Sequence, residues 1–185
     1  MKIISGRLKG LAIPTIKGAN YRPSTGKLKE AIFSILSSGN MLKGANVLDL
    51  FSGTGSLAIE SISRGAAFAT CIDMQASHIK SIKEFTKQIG ESESFSYLIL
   101  DASNLPKAKM QYDVIFIDPP YFKSLAESAL ISLHKNGWLK ASSTILVEVA
   151  RKEDVKIPES YEIMAERIYG NSKLLILKPS INDVS

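Results

Sequence analysis

The sequence predicts an α/β protein built on a seven-stranded, mostly parallel sheet that ends in an antiparallel hairpin. From residue 45 onward, apolar runs of β-rich composition alternate with stretches of helical periodicity, as in βαβ units of a parallel sheet. Only a short connection centred on Gly170 joins the last two runs. They are therefore expected to pair antiparallel, because a parallel crossover needs about a dozen residues or more. The length of 185 residues fits a single domain.

Seven segments have the composition of strands, and the sequence between them favours helices. Helices are predicted between the second and third strands, ending at Gly90, and between the fourth and fifth, because apolar residues recur there at helical spacing. Another amphipathic helix runs from Leu28 to Leu36 ahead of the first strand and ends near Gly39. The predicted strands are 46–51, 68–73, 95–100, 113–118, 144–149, 161–168 and 173–178.

The first 20 residues are predicted to form a small basic β-hairpin appended to this domain. Residues 1–43 hold eight Lys or Arg and one Glu, whereas the rest of the chain holds fifteen basic and seventeen acidic residues. Such asymmetry favours a surface that faces phosphate groups, with Arg7, Lys9 and Arg22 as candidates for contact with nucleic acid. The alternative is a solvated basic surface that has no partner.

Composition also excludes several classes of protein. No apolar run approaches the roughly 20 residues of a membrane-spanning helix, and the N-terminus lacks the pattern of a secretory signal. We therefore expect a cytoplasmic protein with no membrane partner. The single Cys71 cannot form an intramolecular disulfide, and with His78 and His134 it makes no zinc set, so no metal is predicted. Nothing in the sequence indicates an obligate dimer, and a monomer is expected.

The segment 47–58 runs from an apolar strand through a glycine turn into a helix. Gly53 and Gly55 allow a tight turn and the close approach of a ligand. Because their spacing also satisfies the G-x-G-x-x-A pattern of dinucleotide enzymes, a nicotinamide-dependent oxidoreductase is an alternative. Asp49 disfavours it, since a carboxylate beside the loop would repel a pyrophosphate. The same carboxylate suits S-adenosylmethionine (SAM), which carries an ammonium and a sulfonium.

Acidic residues end the second and third predicted strands, at the edge of the sheet where the glycine turn lies. Asp73 can accept hydrogen bonds from both hydroxyls of a ribose, as either nucleoside cofactor requires. Asp101, followed by Ala102, could reach an adenine amino group. An acid at a strand end is also often only a turn or cap residue, and for Asp101 both interpretations stay open.

The segment Asp118-Pro119-Pro120-Tyr121 breaks the fourth strand abruptly at the ligand-binding edge of an α/β sheet. Proline supplies no N–H donor, so carbonyl oxygens and the Asp118 carboxylate present acceptors to an amino group. Tyr121 offers a ring on which a base could stack. The pattern predicts methyl transfer to the exocyclic amine of a base that is unpaired or flipped out. The alternative is a rigid strand exit without chemistry.

Five segments together resemble the RsmD-type 16S ribosomal RNA guanine-N2 methyltransferases, in the same order along nearly the whole chain. The resemblance implies a bacterial enzyme with the class I SAM-dependent methyltransferase (Rossmann-like) fold and SAM as methyl donor. It also implies one guanine of 16S ribosomal RNA as target, presented by an assembled or assembling small ribosomal subunit. The segments are 3–10, 22–24 with the following 28–33, 48–55, 59–60 with 63–66, and 116–121.

The resemblance also assigns residues. Asp118, Pro119, Pro120 and Tyr121 match the catalytic motif, and the 22–24 element places Arg22 or Ser24 near the methionine carboxylate of the donor. The remaining residues implied around the donor are Asp49, Phe51, Gly53, Gly55, Asp73, Met74, Asp101 and Ala102.

Two alternatives to this function remain. A DNA adenine-N6 methyltransferase uses the same tetrapeptide chemistry, often with Asn in place of Asp118, but usually needs an added target-recognition domain. A non-catalytic RNA-binding assembly factor would bind ribosomal particles without turnover.

Overall fold

The computed structural model describes residues 1–15 and 25–180, in which helices flank a seven-stranded sheet. The strands are ordered β3-β2-β1-β4-β5-β7-β6. The first five pair in parallel, and β7 lies antiparallel between β5 and β6. The helices are α1 (Thr25–Ser38), α2 (Ser56–Ser63), α3 (Ala76–Gln88) and α4 (Leu125–Lys135). The strands are β1 (Asn46–Leu50), β2 (Phe68–Asp73), β3 (Phe95–Ile99), β4 (Tyr112–Ile117), β5 (Leu139–Ala150), β6 (Tyr161–Tyr169) and β7 (Ser172–Pro179).

The predicted α/β class and the C-terminal antiparallel hairpin are confirmed. The predicted start of the fifth strand at residue 144 was wrong, because β5 begins at Leu139 and its pairing with β4 shifts register between Tyr112 and Val114. In the added segment, the Ser143 hydroxyl donates to the Tyr112 carbonyl and accepts from the Lys140 N–H. The added segment is therefore held by hydrogen bonds of polar residues, which a search for apolar runs does not detect.

Helices cover both faces of the sheet. On one face, α1, α2 and α3 pack their apolar sides against alternate strand residues, and the rings of Phe33 and Phe116 lie 6.0 Å apart between their centroids. On the other face, α4 packs Leu130 and Leu133 against the remaining strand residues, near Trp138. Because successive side chains of a strand point to opposite faces, each strand contributes to the core on both sides of the sheet. The carboxyl ends of the strands are left free to form a site. No helix of the described ranges is long and apolar enough to cross a membrane.

The predicted N-terminal hairpin is present over residues 1–13, while residues 16–20 of the predicted span lie outside the described part of the chain. Lys2 forms a bridge with Ala12, and the Ile3 N–H donates to the Leu11 carbonyl at 3.0 Å. The hairpin turn rests on the end of α2. At Gly6 (φ +84°), a Cβ would lie 1.9 Å from the Ser63 carbonyl oxygen, so only glycine permits this contact.

Candidate active site

A cavity of about 990 Å³ opens at the carboxyl ends of β1, β2, β4 and β5. Its volume lies within the usual range for small-molecule sites. Chain order reverses between β1 and β4, because β2 and β3 lie on one side of this point and β5 on the other. The cavity therefore lies at the topological switch point, where open α/β sheets bind ligands. Residues of α1 and of the hairpin complete the wall.

The glycine turn shapes one side of the cavity. Gly53 lines it with φ +53°, and its N–H donates to Asp73 Oδ2 at 2.9 Å. Gly55 has φ +71° and faces α3, where a Cβ would lie only 3.0 Å from Ile82. The two glycines thus have different roles, Gly53 at the cavity and Gly55 in packing the turn against α3. Phe51 also lines the cavity and has φ +62°.

Asp49 is a buried carboxyl group on the cavity wall, 2% exposed. Burial raises its pKa to about 7, and nearby Asp73 adds to this effect, whereas the hydrogen bond from the Ala58 N–H and the charge of Lys29 oppose it. Near neutral pH this group is therefore poised between its neutral and charged forms. A cation bound in the cavity would favour the charged form.

Asp73 joins the glycine turn to the start of α3. Its Oδ2 accepts from the Gly53 N–H and lies 3.0 Å from His78 Nδ1, while its Oδ1 accepts from the Gln75 N–H at 2.8 Å. Both Asp73 and the neighbouring Met74, which is 65% exposed, line the cavity. The carboxylate is thus held in place at the end of β2, beside an apolar side chain.

The third predicted acid lies off the cavity wall. Asp101 Oδ1 accepts from the Ser103 N–H at 2.8 Å and from the Ser103 hydroxyl at 2.7 Å, which is the behaviour of a cap residue. Neither Asp101 nor the buried Ala102 lines the cavity. Of the two interpretations of Asp101, the structure favours the cap, and its contact with a donor stays a prediction.

The tetrapeptide follows β4 directly and divides between two environments. Asp118, Pro119 and Pro120 line the cavity, with Asp118 half-buried. Tyr121 lies beside it instead, and its hydroxyl donates to Glu148 Oε1 at 3.1 Å and lies 2.7 Å from Ser172 Oγ. These contacts fix the orientation of the ring that was predicted to stack on a base.

Three residues of this region were missed by sequence reasoning. Glu148 lines the cavity, and because Ile117 pairs with Val147, Glu148 lies within β5 at the level where Asp118 follows β4. An acid inside the apolar run of β5 is a signal that could have revealed it. Phe122 is 68% exposed with φ +58°, and its ring meets that of Tyr121 edge to face.

The third missed residue, Lys29, is a buried cation on the cavity wall. It stands on α1 at helical spacing with Ile32, Phe33 and Leu36, so its place on the apolar face of the helix was visible in the sequence.

Arg7 and Lys9, two of the residues predicted to contact nucleic acid, lie away from the cavity. Arg7 forms an ion pair with Glu91, and exposed Lys9 shares its turn. This turn rests on Ser63, at the opposite end of α2 from the cavity. Arg22 and Ser24 lie outside the described residues. Contact of all these residues with RNA or donor therefore stays a prediction.

Comparisons with known proteins match nearly the whole length of the chain. The model of a family described as "Conserved hypothetical protein 95" matches residues 1–178. An uncharacterised methylase of Rickettsia prowazekii is 35% identical over 97% of this chain and 98% of its own length. Ribosomal RNA small subunit methyltransferase D of Buchnera aphidicola (strain APS) is 34% identical over 90% of this chain and 86% of its own. The protein of that name from Escherichia coli K12 is 27% identical over 92% and 85%.

Solved structures have the same fold. A candidate methyltransferase of Escherichia coli superposes with a TM-score of 0.85 at 24% identity, covering 97% of this chain and 98% of that one. A candidate methylase of Haemophilus influenzae gives 0.79 at 26% identity, covering 96% and 97%. The Rossmann-like methyltransferase fold predicted for this chain is thereby confirmed.

Proposed function

Because the chain belongs to the conserved hypothetical protein 95 family, the family of ribosomal RNA small subunit methyltransferase D, we propose that it transfers a methyl group from SAM to the N2 amine of a guanine in 16S ribosomal RNA. One observation carries the proposal. A buried carboxyl group, Asp49, and an acceptor motif, Asp118-Pro119-Pro120, face the same cavity from the ends of adjacent strands. The names of the relatives support ribosomal RNA as the substrate.

The cavity suits a cationic nucleoside donor. The Asp49 carboxyl group is buried with a pKa near 7, so a positively charged ligand would stabilise its ionised form. A Cβ at Gly53 would meet no atom closer than 3.9 Å, which leaves the backbone of the turn accessible to a ligand. Asp73 is positioned to accept from ribose hydroxyls, and Phe51 and Met74 offer apolar surface. When bound, SAM supplies a methyl group activated by a sulfonium.

The acceptors of the tetrapeptide would raise the reactivity of the target amine. An aromatic amine is a poor nucleophile because its lone pair is delocalised, and positive charge develops on its nitrogen during methyl transfer. Asp118 and the Pro119 carbonyl can accept the two N–H groups, and a hydrogen bond to a charged group contributes roughly 1.5–3 kcal/mol. Once methylated, the nitrogen loses a proton readily, so Asp118 need not act as a strong base.

The base must leave its helix to reach this motif. Tyr121, held by Glu148 and Ser172, offers a ring of fixed orientation for stacking, which is worth about 1–3 kcal/mol per base. We propose that the base is presented by an assembled or assembling small ribosomal subunit.

The test is nucleoside mass spectrometry of 16S ribosomal RNA after incubation with the protein and SAM. Both naked RNA and small subunits, prepared from bacteria that lack their own enzyme of this family, serve as substrates. We expect N2-methylguanosine. N6-methyl-2′-deoxyadenosine from a DNA substrate incubated in parallel would favour the DNA enzyme instead, and binding to subunits without any added methyl would favour an assembly factor.

The variant Asp118→Ala should abolish transfer while SAM still binds in calorimetry, because the acceptor motif and the donor turn lie on different strands. The matched control is Asp154→Ala, which removes an exposed carboxylate that does not line the cavity. Transfer by Asp118→Ala at the rate of this control would contradict the assignment.

A further inference from the structure

Charged side chains are buried where α1, α2 and the N-terminal hairpin meet beside the cavity. Lys29 is 6% exposed, and its Nζ lies 3.2 Å from Glu60 Oε2. Arg64 Nε lies 2.8 Å from Glu60 Oε1, and the Glu60 side chain is fully buried. Glu60 therefore pairs with two cations in a region where water screens charge poorly.

Glu60 is largely engaged by other donors. Its Oε2 accepts from the Ile4 N–H at 2.8 Å, and its Oε1 accepts from the Ser5 N–H at 2.9 Å. Burial alone would raise the pKa of Glu60, but hydrogen bonds from Ile4 and Arg64 and the charge of Lys29 hold this pKa below its ordinary value. Glu60 is thus a stable anion whose hydrogen bonds serve mainly the hairpin and α2.

Lys29 remains poorly satisfied. Within the described residues, its buried Nζ makes no hydrogen bond of good geometry, and its close anionic neighbour is Glu60 Oε2 at 3.2 Å. Burial lowers the pKa of Lys29, with the charge of Glu60 opposing this effect. An ammonium group carries three donors, so an anion that reached it from the cavity would be stabilised.

The cavity brings this ammonium group together with a carboxyl group of opposite charge. Lys29 and Asp49 both line it, and they are close enough that each shifts the pKa of the other. The methionine end of SAM carries an ammonium and a carboxylate on the same carbon. A buried cation and a buried acid on one wall match such a zwitterion, whereas a phosphate within a polymer would be too encumbered to reach a nitrogen buried this deeply.

We propose that Lys29 binds the α-carboxylate of SAM, beside the Asp49 carboxyl group that suits the α-ammonium group of the same ligand. This assignment rests on the proposed function only in that SAM is the donor. Lys29 is then a donor-binding residue, and the 22–24 segment need not supply the carboxylate contact alone.

The test is a comparison of two ligands in calorimetry without RNA. S-adenosylhomocysteine carries the carboxylate, and its decarboxylated analogue differs only by lacking it. The unaltered protein should bind S-adenosylhomocysteine at least roughly ten-fold more tightly, as expected for one charge-assisted contact. The variant Lys29→Met should lose most of this preference and bind the decarboxylated analogue with nearly unchanged affinity. Lys29→Arg, which keeps the charge, should retain a preference for the carboxylate.

The control is Lys27→Met, at an exposed position of the same helix, which should behave like the unaltered protein. Equal affinities of the unaltered protein for both ligands would overturn the assignment of Lys29 without any variant. Equal weakening of both ligands by Lys29→Met would also overturn it, because that result marks a structural role. Failure of S-adenosylhomocysteine to bind the unaltered protein would reject SAM as the donor, and with it the proposed function.

Discussion

Replacing Asp49 by asparagine should stabilise the protein and weaken donor binding. Burial raises the pKa of Asp49 from 3.8 to about 7, so the folded protein holds a proton on this group that the unfolded chain releases at lower pH. Asparagine has nearly the same shape, and its carbonyl oxygen can still accept from the Ala58 N–H. The substitution therefore removes the cost of burying a charge and leaves the packing unchanged.

The size and sign of this effect follow from linkage. A carboxyl group with a raised folded pKa contributes no penalty below pH 3.8, and the stability of the unaltered protein falls as pH rises from there to about 7. At about 1.36 kcal/mol for each pKa unit, the full penalty is roughly 4 kcal/mol above pH 7. The advantage of Asp49→Asn should accordingly grow by about 2–3 kcal/mol between pH 5 and pH 8.

Urea unfolding at pH 5, 6.5 and 8 measures this difference, with the buried Trp138 as fluorescent probe. Asp154→Asn, at an exposed position, is the control and should show no such growth. SAM should bind to Asp49→Asn at least ten-fold more weakly than to the unaltered protein, because the carboxylate that balances the charge of SAM is gone. A free energy difference between Asp49→Asn and the unaltered protein that stays constant with pH would refute the buried-charge argument.

Three further predictions concern the surroundings of the site. Reversing Arg7 and Lys9 to glutamate should weaken RNA binding and flatten its salt dependence in filter-binding titrations; an unchanged slope would make the hairpin turn purely structural. Gly6→Ala should lower the free energy of unfolding, since a Cβ would meet the Ser63 carbonyl at 1.9 Å. Gly10→Ala is the control for backbone strain alone, because Gly10 has a similar φ but open space around it, and it should therefore cost less. Tyr121→Phe should cost about 1–3 kcal/mol in urea unfolding by removing a donor from buried Glu148, and an unchanged stability would mean that another donor replaces the hydroxyl.

The fold was predictable because its signals are local. Each parallel strand is a short apolar run, and the turns around Gly53 and Gly170 interrupt the pattern at recognisable residues. The polar segment at the start of β5 escaped prediction, because the partner of Ser143 is the Tyr112 carbonyl on a neighbouring strand. Such a bond depends on register, which hydrophobic periodicity does not encode.

The site was predictable only where a motif occupies consecutive positions. Asp49 lies in β1 and Asp118 directly follows β4, so both positions could be predicted from these strands, and the structure brings both residues to the cavity wall. Lys29 and Glu148 come from elements far apart in sequence, so only tertiary packing reveals that they share that wall. Asp101 shows the reverse case, since its position after a strand suits a ligand while its hydrogen bonds are those of a cap.

The basic hairpin and the wall of the cavity depend on the same carboxylate. Glu60 accepts the N–H groups of Ile4 and Ser5 and pairs with Lys29, so the docking of the hairpin and the placement of this cation are coupled. Lys2 and Ile4 also line the cavity directly. If the hairpin left α2, Glu60 would lose two donors and the cavity would lose part of its wall. The hairpin is therefore a part of the cavity wall as well as a basic surface. If the cavity binds SAM as proposed, a change in the hairpin turn should alter SAM affinity even when no RNA is present.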